Sequence, residues 1–303
     1  MTTEKTLGFI GLGVMGEPMC RHLITKSSSP VVIFDLMPEP VGRLVAIGAR
    51  AAGSAAEVAR AADIVFVSLP SGKHLQALCE GPDGLIAHTA AGRTFVDLGT
   101  SPLKLSRELA ARFEARDVAY ADAPVARTRQ AAEQGTLAVT VGASKPVFAR
   151  LEPLLRCFAS EVTHCGEVGS GQVVKILNNM VVVGTVAALC EAAAIAGSTG
   201  MDTKFLFDAF SKGSADSFAL RNHGLKSVAP REFPLRTFSS EYMLKDISYA
   251  LAMAQDAGIT AKGAGRSEEL LKLAVEKGFG AEYWPVIVRL IDGSADNPPP
   301  AKS

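Results

Sequence analysis

Lys175, Asn178 and Asn179 lie in a stretch from Gln172 to Ser198 that contains no proline. On an α-helix their spacing of i, i+3 and i+4 puts all three on one face. An ammonium beside two amides is equipped for proton transfer at an oxygen. Lysine protonates a carbonyl oxygen under reduction, or takes the alcohol proton in the reverse direction, while an amide orients that oxygen or a nearby anion. On an arbitrary helix, a lysine snorkelling to solvent beside loop-bonded asparagines would be the plainer reading. Here the remaining positions are largely Ile, Leu, Val, Met and Ala, and the helix follows directly on a nucleotide-binding pattern. We therefore assign Lys175 as acid/base and Asn178 as a substrate ligand, with Asn179 as a helper or a structural bond.

The nucleotide pattern opens the chain. An apolar run to Ile10 turns through Gly11, Leu12, Gly13, Val14, Met15 and Gly16 into helix-forming residues. The spacing lets a helix N-terminus approach a pyrophosphate, with Gly11 for the tight turn, Gly13 for the approach of phosphate and Gly16 for helix packing. Val31–Phe34 reads as the next buried strand and ends on Asp35, about twenty residues beyond the last glycine. A carboxylate there accepts ribose hydroxyls and repels a 2′-phosphate, so NAD is expected over NADP. Leu69 and Pro70 after one strand, and Thr100 after another, are rim positions of the same crevice.

These residues need a particular set of elements around them. Strands are expected at Thr6–Ile10, Val31–Phe34, Ile64–Leu69, Thr94–Asp97, Val118–Ala123, Leu137–Val141 and Val162–His164, with Ala/Leu/Glu/Arg-rich helices between. The alternation predicts an α/β fold, an N-terminal Rossmann domain with a mostly parallel sheet over 1–167. A long interdomain helix then opens an all-α domain over 168–292, with breaks near 199–202, 213–217, 229–234 and 257–260. No strand pattern follows Gly166, and the Pro-rich tail 293–303 is expected to be disordered.

Composition narrows the partners. The chain has 303 residues and 48% apolar content, and Lys plus Arg equals Asp plus Glu at 31 each, so nothing in the charge recruits nucleic acid or an anionic membrane. Five cysteines without CxxC spacing suit a reduced cytoplasm, and His74, His88, His164 and His223 lack metal-ligand spacing, so no metal is expected. The start Met1–Lys5 leaves no room for a signal peptide, and the run Met180–Cys190 taken alone is too short for a membrane span.

The motifs together resemble the β-hydroxyacid dehydrogenases, over residues 6 to about 292. The resemblance rests on Gly11–Met19, Asp97–Pro102, Asp122–Val125, Gly135–Leu137, Gly171–Asn179 and Lys245–Ile247. It implies a catalytic role for Lys175 and a substrate contact for Asn178. It also implies cofactor contacts for Thr100 and for Lys245, which would close over the dinucleotide. Most of the family continues Asp-Ala-Pro-Val with Ser-Gly-Gly, whereas this chain reads Ala126-Arg127-Thr128. A guanidinium in that loop suits a carboxylate, sulfonate or phosphate. The Arg-Thr pair is similar to the branch that reduces 3-sulfolactaldehyde to 2,3-dihydroxypropane-1-sulfonate; Val182, where that branch has serine, departs from it. The expected activity is therefore NAD(H)-dependent interconversion of a short anionic semialdehyde and its primary alcohol. The alternatives are a 3-hydroxyisobutyrate, hydroxybutyrate or tartronate semialdehyde type of enzyme and, further off, an imine reductase or a non-catalytic binder. Homodimers or homotetramers are what the resemblance implies.

Overall fold

The computed structural model describes residues 5–295. Its strands are β1 Leu7–Ile10, β2 Val31–Phe34, β3 Arg50–Ala51, β4 Ile64–Val67, β5 Thr94–Asp97, β6 Ala119–Asp122, β7 Val125–Ala126, β8 Leu137–Gly142 and β9 Ala159–Gly166. They form one sheet in the order β3-β2-β1-β4-β5-β6-β8-β7, with β9 beside β8. From β3 to β6 every neighbouring pair is parallel; β8 runs antiparallel to β6 and β7.

Parallel central strands are buried on both faces, which is why their sequences are continuous apolar runs. Leu7, Phe9, Ile33 and Phe66 enter one core layer, whereas Ile10, Val32, Val65 and Phe95 enter the other. The alternation within each strand supplies both layers at once. The chain order reverses direction across the sheet between β1 and β4, and the crevice beyond those strand ends is where such folds hold ligands.

Residue contacts divide the chain into two compact units, Met1–Lys175 and Ile176–Ser303. The division falls inside the long helix Ser170–Ser198. The second unit is helical, built on a core that includes Phe207, Leu220, Ile247, Leu271 and Trp284. Besides α-helices it contains π-helical Leu220–Val228, a kinked turn at Val275–Phe279 with Gly278 at φ +87°, and a 3-10 turn at Trp284–Ile287, none of which the apolar period foretells. The expected breaks after Ser198 and near 213–217, 229–234 and 257–260 all fall between helices.

Three expectations change. The short strands Arg50–Ala51 and Val125–Ala126 add to the sheet, because two-residue edge pairings leave no periodic signature. The long helix is 29 residues, and its best 18-residue window has a mean hydropathy of 2.0, so by length and composition alone it is long and apolar enough to cross a membrane. Judging Met180–Cys190 by itself missed this. Val183, Val186, Leu189, Cys190 and Ala193 of that helix enter the core of the second unit, whereas Val181 and Ile195 are exposed. Of the tail, residues 293–295 are tied back: Arg231 donates to Ser294 Oγ, and Ala295 N–H donates to Arg289 O at 2.9 Å. Residues 296–303 lie outside those described.

Candidate active site

The glycine turn after β1 has the dimensions a dinucleotide needs. Gly11 adopts φ +90°, and a Cβ there would sit 2.2 Å from Ser68 O. A Cβ on Gly16, the first residue of the helix Gly16–Lys26, would sit 1.9 Å from Gly11 O, so the helix start is pressed onto the turn itself. Gly13 is different: nothing lies within 4 Å of where its Cβ would be. Open space over a backbone turn at a helix N-terminus fits a pyrophosphate. The residues present therefore suit the cofactor.

Asp35 follows β2 and is half-buried. Its Oδ2 accepts from Leu12 N–H at 2.5 Å and its Oδ1 from Met37 N–H at 2.7 Å, which ties the carboxylate to the glycine turn. Leu36 and Met37 beside it are exposed and uncharged. The next arginine, Arg43, is held by Glu17 through contacts of 2.6 and 2.8 Å, and this pairing lowers the Glu17 pKa. Leu69 and the loop after β5 meet closely, since a Cβ on Gly99 would be 3.1 Å from Leu69 O. Thr100 and Leu69 are half-buried; Pro70 is exposed.

The loop after β5 is built around Asp97, which is buried. Its Oδ1 accepts from Gly99 N–H at 2.9 Å and its Oδ2 from Ser101 Oγ at 2.8 Å. Gln172 joins the same cluster, accepting from Ser101 N–H at 3.1 Å and donating to Gly99 O at 2.8 Å. At the end of β6, Asp122 accepts from Gly169 N–H at 2.6 Å and Gln172 N–H at 2.7 Å, where the long helix begins. Burial raises the Asp122 pKa to about 6 against the pull of these donors. Lys175 follows Gln172 by three residues on the same helix and is half-buried.

In the second unit, Asn178 donates to Asn179 Oδ1 at 3.2 Å, and Asn179 donates to Asp246 Oδ2 at 2.6 Å. Asn179 is buried and Asn178 exposed, so Asn179 works as the link that orients its neighbour. Lys245 Nζ lies 3.2 Å from Asp246 Oδ1 and 5.3 and 5.6 Å from the ring centres of Tyr242 and Tyr249.

The loop expected to grip an anion is held differently from the rest. Ala126 is in β7, and Thr128 Oγ1 caps the helix Arg129–Gln134 by accepting from Ala131 N–H. Arg127 has φ +85°, and its Nη1 donates to Thr136 O at 2.5 Å and Ser160 Oγ at 2.8 Å. Its guanidinium thus braces its own loop. Sequence reading missed Gln172, Asp97 and Ser101 as a cluster. The recurrence of Gln172, Lys175 and Asn179 at i, i+3 and i+7 on an apolar helix marks Gln172 itself, but not its partners Asp97 and Ser101.

Two family models cover the chain: the NAD binding domain of 6-phosphogluconate dehydrogenase matches residues 6–166, and the NAD-binding domain of NADP-dependent 3-hydroxyisobutyrate dehydrogenase matches 169–291. The chain belongs to the β-hydroxyacid dehydrogenase family. As a member of it, the protein is an oxidoreductase that acts on CH–OH groups with a nicotinamide dinucleotide. It is 30% identical to 2-(hydroxymethyl)glutarate dehydrogenase of Eubacterium barkeri, with 96% of each chain covered. It is 35% identical to 3-hydroxyisobutyrate dehydrogenase of Pseudomonas aeruginosa, over 82% of this chain and 85% of that one. The solved Mycobacterium tuberculosis 3-hydroxyisobutyrate dehydrogenase with L-serine superposes with a TM-score of 0.86 at 28% identity, covering 95% and 99% of the two chains.

Proposed function

We propose that this dehydrogenase uses NAD(H) to interconvert a short anionic semialdehyde and its primary alcohol, most concretely 3-sulfolactaldehyde and 2,3-dihydroxypropane-1-sulfonate. The relatives named for 3-hydroxyacids support the reaction class, and Arg127 supports the anionic substrate. One observation carries the reading. Lys175 stands one turn beyond Gln172, the helix residue hydrogen-bonded to the loop bearing Thr100. A bound dinucleotide would supply the hydride chemistry, to the carbonyl carbon in reduction and from the carbinol carbon in oxidation.

The chain's own residues do the rest. Lys175 gives its proton to the carbonyl oxygen in reduction and takes it back in oxidation. Its ammonium stabilises the developing alkoxide. Asn178, oriented through Asn179 and Asp246, donates to the substrate, and Ala126, Arg127 and Thr128 frame its anionic end. Gly11, Leu12, Gly13, Val14, Met15 and Gly16 would hold the pyrophosphate, and Leu69, Pro70, Thr100 and Lys245 the rest of the dinucleotide. NAD would be the preferred form, because the Asp35 carboxylate would accept from the ribose hydroxyls and uncharged Leu36 and Met37 offer nothing to a 2′-phosphate. We assign the NAD-binding domain to 1–167 and the substrate and oligomerisation domain to 168–292. A homodimer or homotetramer accords with Val181 and Ile195 exposed on the long helix, and a cytoplasmic setting with five free thiols.

A second reading, a 3-hydroxyisobutyrate-type enzyme acting on a carboxylate, draws on the bracing of Arg127 by Thr136 and Ser160. A panel of sulfonated, carboxylated and neutral aldehydes with NADH and with NADPH separates the two. The proposal expects the highest kcat/KM for the sulfonated aldehyde with NADH. A carboxylated semialdehyde at least ten-fold better would replace it with the second reading, and equal use of neutral aldehydes would remove the anion requirement.

A further inference from the structure

Asp122 is fully buried at the carboxyl end of β6, yet both its oxygens are taken up by backbone N–H groups at the start of the long helix. The packing around it leaves no slack. A Cβ on Gly142 would sit 2.4 Å from Asp122 Oδ1, and one on Gly171 would sit 2.8 Å from Oδ2 and 2.4 Å from Thr140 O. Thr140 Oγ1 also donates to Gly171 O at 3.1 Å. An uncharged Asn or Ser would cap an ordinary helix without the cost of burying a charge. What the carboxylate adds is two acceptors in a fixed orientation.

Gln172, equally buried, locks the same turn from the other side. Its Oε1 accepts from Ser101 N–H at 3.1 Å, and its Nε2 donates to Gly99 O at 2.8 Å and to Asp97 Oδ2 at 3.3 Å. The ends of β5 and β6 and the first turn of the helix are therefore one hydrogen-bonded block within the first unit. Lys175 leaves that block one turn later, on the face of Gln172.

We propose that Asp122 and Gln172 are positioning residues for the acid/base lysine: together they fix the helix start against the loop bearing Thr100, and so fix where the Lys175 ammonium is delivered. The inference rests on the assignment of Lys175 made above. Displacing a proton donor by about 1 Å lowers turnover roughly ten- to a hundred-fold while binding contacts persist. A merely stabilising role would lower the amount of folded enzyme and leave turnover per folded site unchanged.

The test uses full-length Asp122→Asn, Gln172→Glu, Gly171→Ala and Lys175→Met, each measured for NADH affinity, kcat, KM and thermal unfolding. Asp122→Asn removes one acceptor and keeps the side-chain volume; Gln172→Glu keeps an acceptor and loses the donor to Gly99 O. The expected result is at least a ten-fold fall in kcat for Asp122→Asn and Gln172→Glu, with NADH affinity and aldehyde KM within about three-fold of the parent. Gly171→Ala, which alters no ionisable group, is expected to reproduce it. If Asp122→Asn does not fold, the other two decide. A kcat within two-fold of the parent in folded variants overturns the proposal, as does a loss of kcat that merely tracks lost cofactor binding. Full turnover in Lys175→Met would instead overturn the acid/base assignment. An inactive Lys175→Met beside active Asp122→Asn and Gln172→Glu removes the positioning claim alone.

Discussion

Arg127 shows how much one residue's backbone can say. A side chain at φ +85° lies in the left-handed region that favours glycine and costs on the order of 1 kcal/mol. Arg127→Gly relieves that strain and gives up the contacts to Thr136 O and Ser160 Oγ, so the net change in stability is expected to stay within about 1 kcal/mol. Its KM for anionic aldehydes should nonetheless rise about ten-fold, with neutral aldehydes unaffected, as steady-state assays on matched pairs will read. Equal losses for both would reduce the guanidinium to a loop brace. At Asp35 the expectation concerns selectivity: Asp35→Ala should lower the NADH over NADPH ratio of kcat/KM by at least ten-fold, and an unchanged ratio contradicts the ribose contact. That Lys175, Asn178 and Asn179 share one helix was legible because helical spacing is written in the sequence. The bonds of Gln172 to Gly99, Ser101 and Asp97 were not, since they depend on which strand ends the sheet brings together.

Among the elements, the glycine turn and the long helix carry the account. Gly16→Ala would thrust a methyl group into Gly11 O, a backbone atom with nowhere to go. We expect it to destabilise the protein by more than about 1 kcal/mol and to weaken NADH binding, read by urea unfolding and fluorescence titration. Unaltered binding would mean the turn does not grip the dinucleotide. The central strands were readable because burial on both faces makes them apolar throughout. Strand Ala159–Gly166 extends beyond its expected bounds because its first half, with Ser160 and Glu161, is exposed and polar. The π-helical turn Leu220–Val228 and the kink at Gly278 escaped altogether, as nothing in their residue types distinguishes them from ordinary helix and turn.

For the whole molecule, buried Asp122 and half-buried His223 pull stability in opposite directions with pH. Asp122 has a folded pKa of about 6, above its usual 3.8, so the folded state holds the extra proton and this term falls as pH rises from about 4 to 6. His223, which shares a 2.6 Å hydrogen bond with Tyr283, is pushed down by burial to about 4 from 6.5. The folded state there binds fewer protons, and stability rises over nearly the same window. The two terms are of similar size and offset each other. Urea unfolding of Asp122→Asn should expose the histidine term, the variant gaining on the parent by up to about 3 kcal/mol between pH 4 and 7. A difference that does not vary with pH contradicts the buried charge. Fold class and family were legible at this scale because the motifs alternate with strand and helix patterns along the chain; strand order and substrate choice were not, the second because it turns on the one loop that departs from the pattern.

The central claim is that Lys175 moves the proton, and chemical rescue tests it most directly. Turnover of Lys175→Ala should fall at least a hundred-fold with NADH affinity retained, and added methylamine should restore part of it in proportion to amine concentration. Full activity in the variant without amine would contradict the mechanism.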